Sequence, residues 1–116
     1  MTANVVLGIM DVRVGEELNP IVDIRGLLSN DELATDTPTT VVIVERNARL
    51  TSDISNKAIN TEDKTVDGVT LVAGEGVQYT IKGFLSDRYN IDITFSTNAT
   101  PPAVRKGTVI YVVNDA

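Results

Sequence analysis

The run Tyr89-Asn90-Ile91-Asp92-Ile93-Thr94-Phe95-Ser96 alternates apolar and polar side chains without a slip. Successive side chains of a strand point to opposite faces, so this segment has one greasy face and one wet face. The same two-residue period recurs elsewhere, and almost nothing in the chain reads as a long helix. A chain patterned this way folds as a small antiparallel sandwich or barrel around one buried core.

Length and residue type narrow the choice. At 116 residues the chain makes one domain, and a domain of that size buries roughly two-thirds of the surface its unfolded chain exposes. Val and Ile dominate the apolar set, with Phe84, Phe95, Tyr79, Tyr89 and Tyr111 as its only aromatics. β-Branched side chains are stiff at χ1 and suit a pleated, packed surface. The expected fold is an all-β antiparallel β-sandwich, immunoglobulin-like or jelly-roll, of about seven to eight strands with at most one short helical turn. Residues 1–9 are an N-terminal arm or first strand, and residues 10–116 form the single sandwich domain.

Along the chain, Met10, Val12 and Val14 alternate with Asp11 and Arg13 in a half-buried strand that turns at Gly15-Glu16-Glu17. Leu18, Val22 and Ile24 share a face of the next strand, with Pro20 near its start, where a missing N–H does little harm. Ser29-Asn30-Asp31-Glu32-Leu33 reads as one short helical turn capped by Ser29 or Asn30, and residues 35–40, with Pro38, read as loop. Val41-Val42-Ile43-Val44 is apolar on both faces, as suits a central strand or one covered by another subunit. Residues 47–64 read as a long polar excursion with short strands at Ile54 and Ala58-Ile59. Val69-Thr70-Leu71-Val72 is a strand, and Gly74-Glu75-Gly76 is a hairpin turn needing positive φ rather than a phosphate cradle, since no helix follows it. Residues 83–88 turn the corner into the alternating run, Asn98-Ala99-Thr100-Pro101-Pro102 is a rigid loop, and residues 108–113 close the fold. The expected core is Val22, Ile24, Val41, Ile43, Leu71, Tyr79, Ile81, Tyr89, Ile91, Ile93, Phe95, Val109 and Tyr111.

What is missing from the sequence limits the chemistry. With no cysteine there are no disulfides, thiolate nucleophiles, cysteine–zinc sites or iron–sulfur clusters. With no histidine the usual general base and the commonest transition-metal ligand are gone. Acidic residues outnumber basic ones 16 to 10, a net charge of −6, which argues against nucleic acid as a partner and reads as solubility. Val5-Val6-Leu7-Gly8-Ile9-Met10 is apolar but has no basic leader, and it is far too short to span a bilayer. No membrane, cofactor or metal is expected.

The remaining motifs are weak. Asn60, Glu62, Asp63 and Asp67 offer oxygen ligands, but not at the spacing of a calcium loop, and read as a solvated acidic loop. Asn98-Ala99-Thr100 fits a glycosylation sequon, a pattern frequent by chance. Glu16/Glu17 and Asp31/Glu32 are carboxylate pairs that read as surface charge, because sugar hydrolysis needs such a pair across a cleft, usually with aromatic platforms. Leu85-Ser86-Asp87-Arg88-Tyr89, directly before the alternating run, is similar to the tyrosine corner of immunoglobulin-like sandwiches, and equally reads as an ordinary core tyrosine.

From roughly Gly15 onward the layout resembles small structural proteins encoded among the head and tail genes of tailed bacteriophages. The residues that carry this are Val22-Asp23-Ile24-Arg25-Gly26-Leu27-Leu28-Ser29-Asn30-Asp31-Glu32-Leu33, then Val77-Gln78-Tyr79-Thr80-Ile81-Lys82-Gly83, the Tyr89 strand and Val109-Ile110-Tyr111-Val112-Val113. The departures are a lone Gly83 where many such proteins have a glycine-rich turn, and the longer 47–64 insertion. The resemblance implies a non-enzymatic virion protein, assembled in the host cytoplasm, that decorates or cements the capsid exterior. Its partners would be the major capsid protein or other virion proteins, with self-association. The alternatives are a neck, tail or head-fibre accessory protein, or a carbohydrate-binding sandwich, the latter disfavoured by the absence of tryptophan for sugar stacking. The candidate partner contacts are Val5, Val6, Leu7, Leu50, Ile54, Ile59, Asn98, Pro101 and Pro102.

Overall fold

A computed structural model describes residues 5–35, 40–47, 53–82 and 87–114. Its elements are β1 (Val5–Arg13), β2 (Ile21–Asp23), a 3-10 turn (Arg25–Leu27), β3 (Ala34–Thr35), β4 (Val42–Glu45), β5 (Ile54–Ile59), β6 (Lys64–Val66), β7 (Val69–Leu71), β8 (Gly76–Ile81), β9 (Arg88–Thr97) and β10 (Val104–Asn114). The protein is all-β, with a sandwich-like arrangement of sheets.

The larger sheet runs β1-β10-β9, and both β3 and β4 pair with the far side of β9. The second sheet is β2-β8-β5, and β6-β7 is a separate hairpin. The alternating run sets the register of the larger sheet: Tyr89 faces Tyr111, Ile91 faces Val109 and Ile43 faces Ile93. Those side chains therefore share one face with Phe95, Val12 and Val113. Opposite them, Val22, Val77, Tyr79, Ile81, Ile54 and Ile59 line the inner face of the second sheet, and all belong to one buried cluster. Every residue of the expected core is buried. Tyr79 and Tyr111 meet across the sandwich with their hydroxyls 2.5 Å apart. Burial drives the Tyr79 pKa far above its ordinary value and pushes Tyr111 up to about 12, so the pair is two neutral hydroxyls.

The structure corrects the sequence reading at several points. There are ten strands among the described residues, more than the seven or eight expected, because β3, β6 and β7 are only two or three residues long. β1 pairs with β10 in parallel rather than antiparallel, which the nearly full-length connection between them permits. β1 begins at Val5, so a boundary between residues 9 and 10 falls inside one strand. The helical turn is at Arg25–Leu27, not at residues 29–33. There the Glu32 carboxylate accepts from the Ser29 N–H at 3.0 Å, while the Ser29 carbonyl accepts from the Glu32 N–H at 3.0 Å, closing an ordinary turn. Among the described residues β4 is an edge strand rather than a central one, with Val42 43% exposed. The Pro38 loop, Leu50 and the 83–86 part of the corner lie outside the described residues; Tyr89 itself is buried at the start of β9.

Two glycines make the packing feasible. Gly74 has φ +91°, and a Cβ there would stand 2.9 Å from the Leu33 Cβ, so the turn before β8 accepts no side chain. Gly107 lies under Leu7 and Leu27, whose Cδ1 atoms would be 2.7 and 2.9 Å from an added Cβ.

Candidate interaction surface

The alternation that buries one face of the larger sheet leaves the other face to be read row by row. Register places Val44, Asp92, Thr108 and Val6 in one row, and Asn90, Ile110 and Ile9 in the next. Asp11 follows beside Val112. Val6 and Ile9 are 52% and 64% exposed, and Val42 on the opposite edge is also open. Ile110 is buried and Val112 half-buried on the same face. The result is a sheet face with exposed aliphatic groups at both margins.

Its centre is charged. Asp92 is only 6% exposed, although it points away from the core. Arg46, just past the end of β4, donates from Nε and Nη2 to the two Asp92 carboxylate oxygens at 3.2 and 3.0 Å. Thr108 Oγ1 donates to Asp92 Oδ1 at 2.8 Å and accepts from Arg46 Nη2 at 3.1 Å. Lys106 Nζ stands 3.9 Å from Asp92 Oδ2. Burial works to raise the Asp92 pKa, but the Arg46 and Thr108 hydrogen bonds and the charges of Arg46 and Lys106 outweigh it and hold the carboxyl below its ordinary value. Arg46 also feels the Glu45 carboxylate, so two cations and two anions meet at this spot.

Other polar residues are structural braces. Glu32, 7% exposed, accepts from the Ser29 N–H, Thr97 Oγ1 and Arg105, and these hold its pKa low against the effect of burial. It ties the 29–33 turn to β9 and β10, so the reading of Asp31/Glu32 as surface charge fits the exposed Asp31 and is corrected for Glu32. Asn60 is turned inward at 2% exposure, donating to the Glu62 and Val72 carbonyls and accepting from the Gly74 and Gly76 N–H groups. It cannot serve as a cation ligand. Among the described residues no group of three or more Asp and Glu could hold a metal.

The outer face of the second sheet carries an open groove of about 320 Å³ lined by Asn19, Asn56, Lys64, Gln78 and Thr80. Thr80 Oγ1 donates to Asn19 Oδ1 at 2.7 Å and accepts from Asn56 Nδ2 at 3.1 Å.

The contact residues expected from sequence separate into groups. Val6 is exposed, and Leu7 is half-buried over Gly107. Val5 is paired in β1 opposite Gly107. Asn98, Pro101 and Pro102 are exposed in the β9–β10 loop, with Asn98 Oδ1 accepting from the Leu33 N–H at 2.8 Å. β1 starts beside Gly107, so register brings Val6 toward the same end of the sheet as that loop. Ile54 and Ile59 are corrected: both are buried core residues of β5, where β8 pairing turns them inward. Leu50 lies outside the described residues. The Arg46–Asp92–Thr108 cluster was not anticipated; its one trace in the sequence is an acid on the wet side of the alternating run. Compared with known families, curated proteins and solved structures, the chain matches none.

Proposed function

We propose that this protein is a non-enzymatic structural component of a tailed-bacteriophage virion, binding the outside of the head shell and reinforcing it. The observation that carries the reading is the outer face of the larger sheet: exposed Val6, Ile9 and Val42 around the Arg46–Asp92–Lys106 cluster. A broad, shallow surface with aliphatic margins and a charged centre suits contact with another protein. The layout resemblance adds the virion context. On a shell, modest affinity per copy is multiplied by symmetry and avidity.

The test is binding of the full-length protein to purified head shells, together with its copy number in virions relative to the major shell protein. Hundreds of copies per particle and weakened binding by Val42→Lys are the expected results. A few copies per particle would move the protein to the neck or tail. A second reading, as a carbohydrate-binding module, draws on the amide- and hydroxyl-lined groove at Asn19, Asn56, Gln78 and Thr80. Retention on a glycan array, abolished by Gln78→Ala and indifferent to Val42→Lys, would favour that reading.

A further inference from the structure

The outer edge of β1 is built to accept another strand. The Val14 N–H donates to the Asn114 carbonyl of β10, and the Val113 N–H donates away from β1, to Asp87. Backbone groups alternate in direction along a strand, so Met10 and Val12 face β10 while Ile9, Asp11 and Arg13 face outward. Arg13 is already occupied: its N–H donates to Glu16 Oε1 at 3.0 Å and its carbonyl accepts from the Glu16 N–H at 3.1 Å. Upstream, a register shift between Val6 and Gly8 breaks the regular ladder. The N–H and C=O of Ile9 and Asp11 remain, and among the described residues nothing bonds to them.

The other sheet edges are blunted in the ways that edge strands usually are. β3 and β4 are two and four residues long. β2 is three residues long and follows Pro20. β5 is bulged between Ser55 and Ala58, with Asn56 at φ 54°. β1 is nine residues long, with no proline or lysine, and its Ile9 is 64% exposed.

We propose that two copies of this chain pair antiparallel along their β1 edges about a two-fold axis at Met10, with Ile9 of each opposite Asp11 of the other. One register uses all the free groups. Centring on Met10 makes each Ile9–Asp11 pair a mutually hydrogen-bonded one, and both pairs fall between the irregularity at Leu7 and the Glu16 turn. Centring on Ile9 runs Asp11 into the irregular Leu7, and centring on Asp11 sets two carboxylates directly opposite, which destabilises a cross-strand pair. β1 contributes one anion, Asp11, and one cation, Arg13, so it is a neutral strip on a protein of net charge −6, and self-pairing there meets little repulsion. The two-fold closes on itself and consumes both edges. It also joins the two outer sheet faces through their exposed Ile9 side chains. A second copy is the occupant because the free groups are complementary to themselves under this rotation.

The experiment is sedimentation equilibrium of the full-length protein, alone in solution, alongside Ile9→Glu and Ile9→Lys. Both replacements fall on an exposed side chain, and an unchanged circular dichroism spectrum confirms the fold. The wild type forms a dimer. Ile9→Glu meets Asp11 of the other copy with like charge twice, and Ile9→Lys meets it with opposite charge twice. The two dissociation constants therefore differ by about tenfold, with Ile9→Glu the weaker, and added salt narrows the gap. A wild type that stays monomeric to millimolar concentration overturns the proposal, and so does a dimer that both variants affect equally. No shell or glycan is present in this assay, so its failure would leave the functional reading standing.

Discussion

At the scale of single residues, a side chain's role follows from which face of its strand it occupies and whether its polar atoms are matched. Ile93 is fully buried between Ile43 and the opposing sheet. Ile93→Ala removes buried methylenes and leaves a cavity that close-packed neighbours only partly fill, so urea unfolding should show a loss of about 2–5 kcal/mol. A loss below about half a kcal/mol would mean the residue is not in a packed core. Asn60 makes the complementary case. Removing its amide in Asn60→Ala takes the acceptor from the buried Gly76 N–H, while the Gly74 N–H keeps its bond to the Asn60 carbonyl. A cost of about 1–3 kcal/mol is expected from the donor left unpaired. In the sequence Ile93 was legible because period-two alternation identifies a buried face directly. Asn60 was not, since a polar residue in an acidic stretch looks the same whether it faces solvent or turns inward to bond Glu62 and the 72–76 stretch.

At the scale of elements, long strands were legible and short ones were not. β9 and β10 are ten and eleven residues long, enough for the pattern to repeat several times. β3 has only two residues, and its pairing of Ala34 with Thr97 exists because Leu33 and Asn98 are bonded beside it. Tertiary contact created that strand. The same long-range dependence hid the parallel pairing of β1, since nothing local records which way a partner runs. The glycine turn at Gly74 was legible, because positive φ restricts residue choice, but the hairpin expected there is corrected: β7 pairs with β6 and β8 with β2 and β5. Gly74→Ala places a Cβ at φ +91° and against Leu33, so thermal or urea unfolding should register a loss of about 1–3 kcal/mol. Gly107→Val tests strand packing instead: it drives Leu7 and Leu27 off the larger sheet, and a loss of about 1–3 kcal/mol from overpacking is expected.

At the scale of the whole molecule, the sequence conveyed an all-β fold and an acidic surface, but not the charged centre of the outer sheet face. That cluster needs β4, β9 and β10 in register, which joins residues 46, 92 and 108. Its contribution can be read through pH. The carboxyls of Asp23, Glu32 and Asp92 are all held below their ordinary values of 3.8, 4.5 and 3.8: Asp23 chiefly by its bonds to Arg25, Glu32 by the Ser29 N–H with Arg105 and Thr97, and Asp92 by Arg46 and Thr108 against the opposing effect of burial. A carboxyl whose folded pKa is depressed binds fewer protons in the native state than in the unfolded chain over the window between the two values. It therefore contributes stability that is complete above its unfolded pKa and is lost as pH falls through the folded one. Stability should be flat through the neutral range and drop only as pH falls below about 4.5, the highest of those ordinary values. Arg46→Met removes the main partner of a nearly buried carboxylate and should cost about 1–3 kcal/mol near neutral pH. Below 3.8, the ordinary value of the Asp92 carboxyl, the unfolded chain takes up the proton that Arg46 opposes in the folded one, so the deficit should shrink when urea unfolding is repeated at a pH below that value. A deficit of the same size at both pH values would show that Arg46 acts through the packing of its aliphatic stem and not through the Asp92 charge.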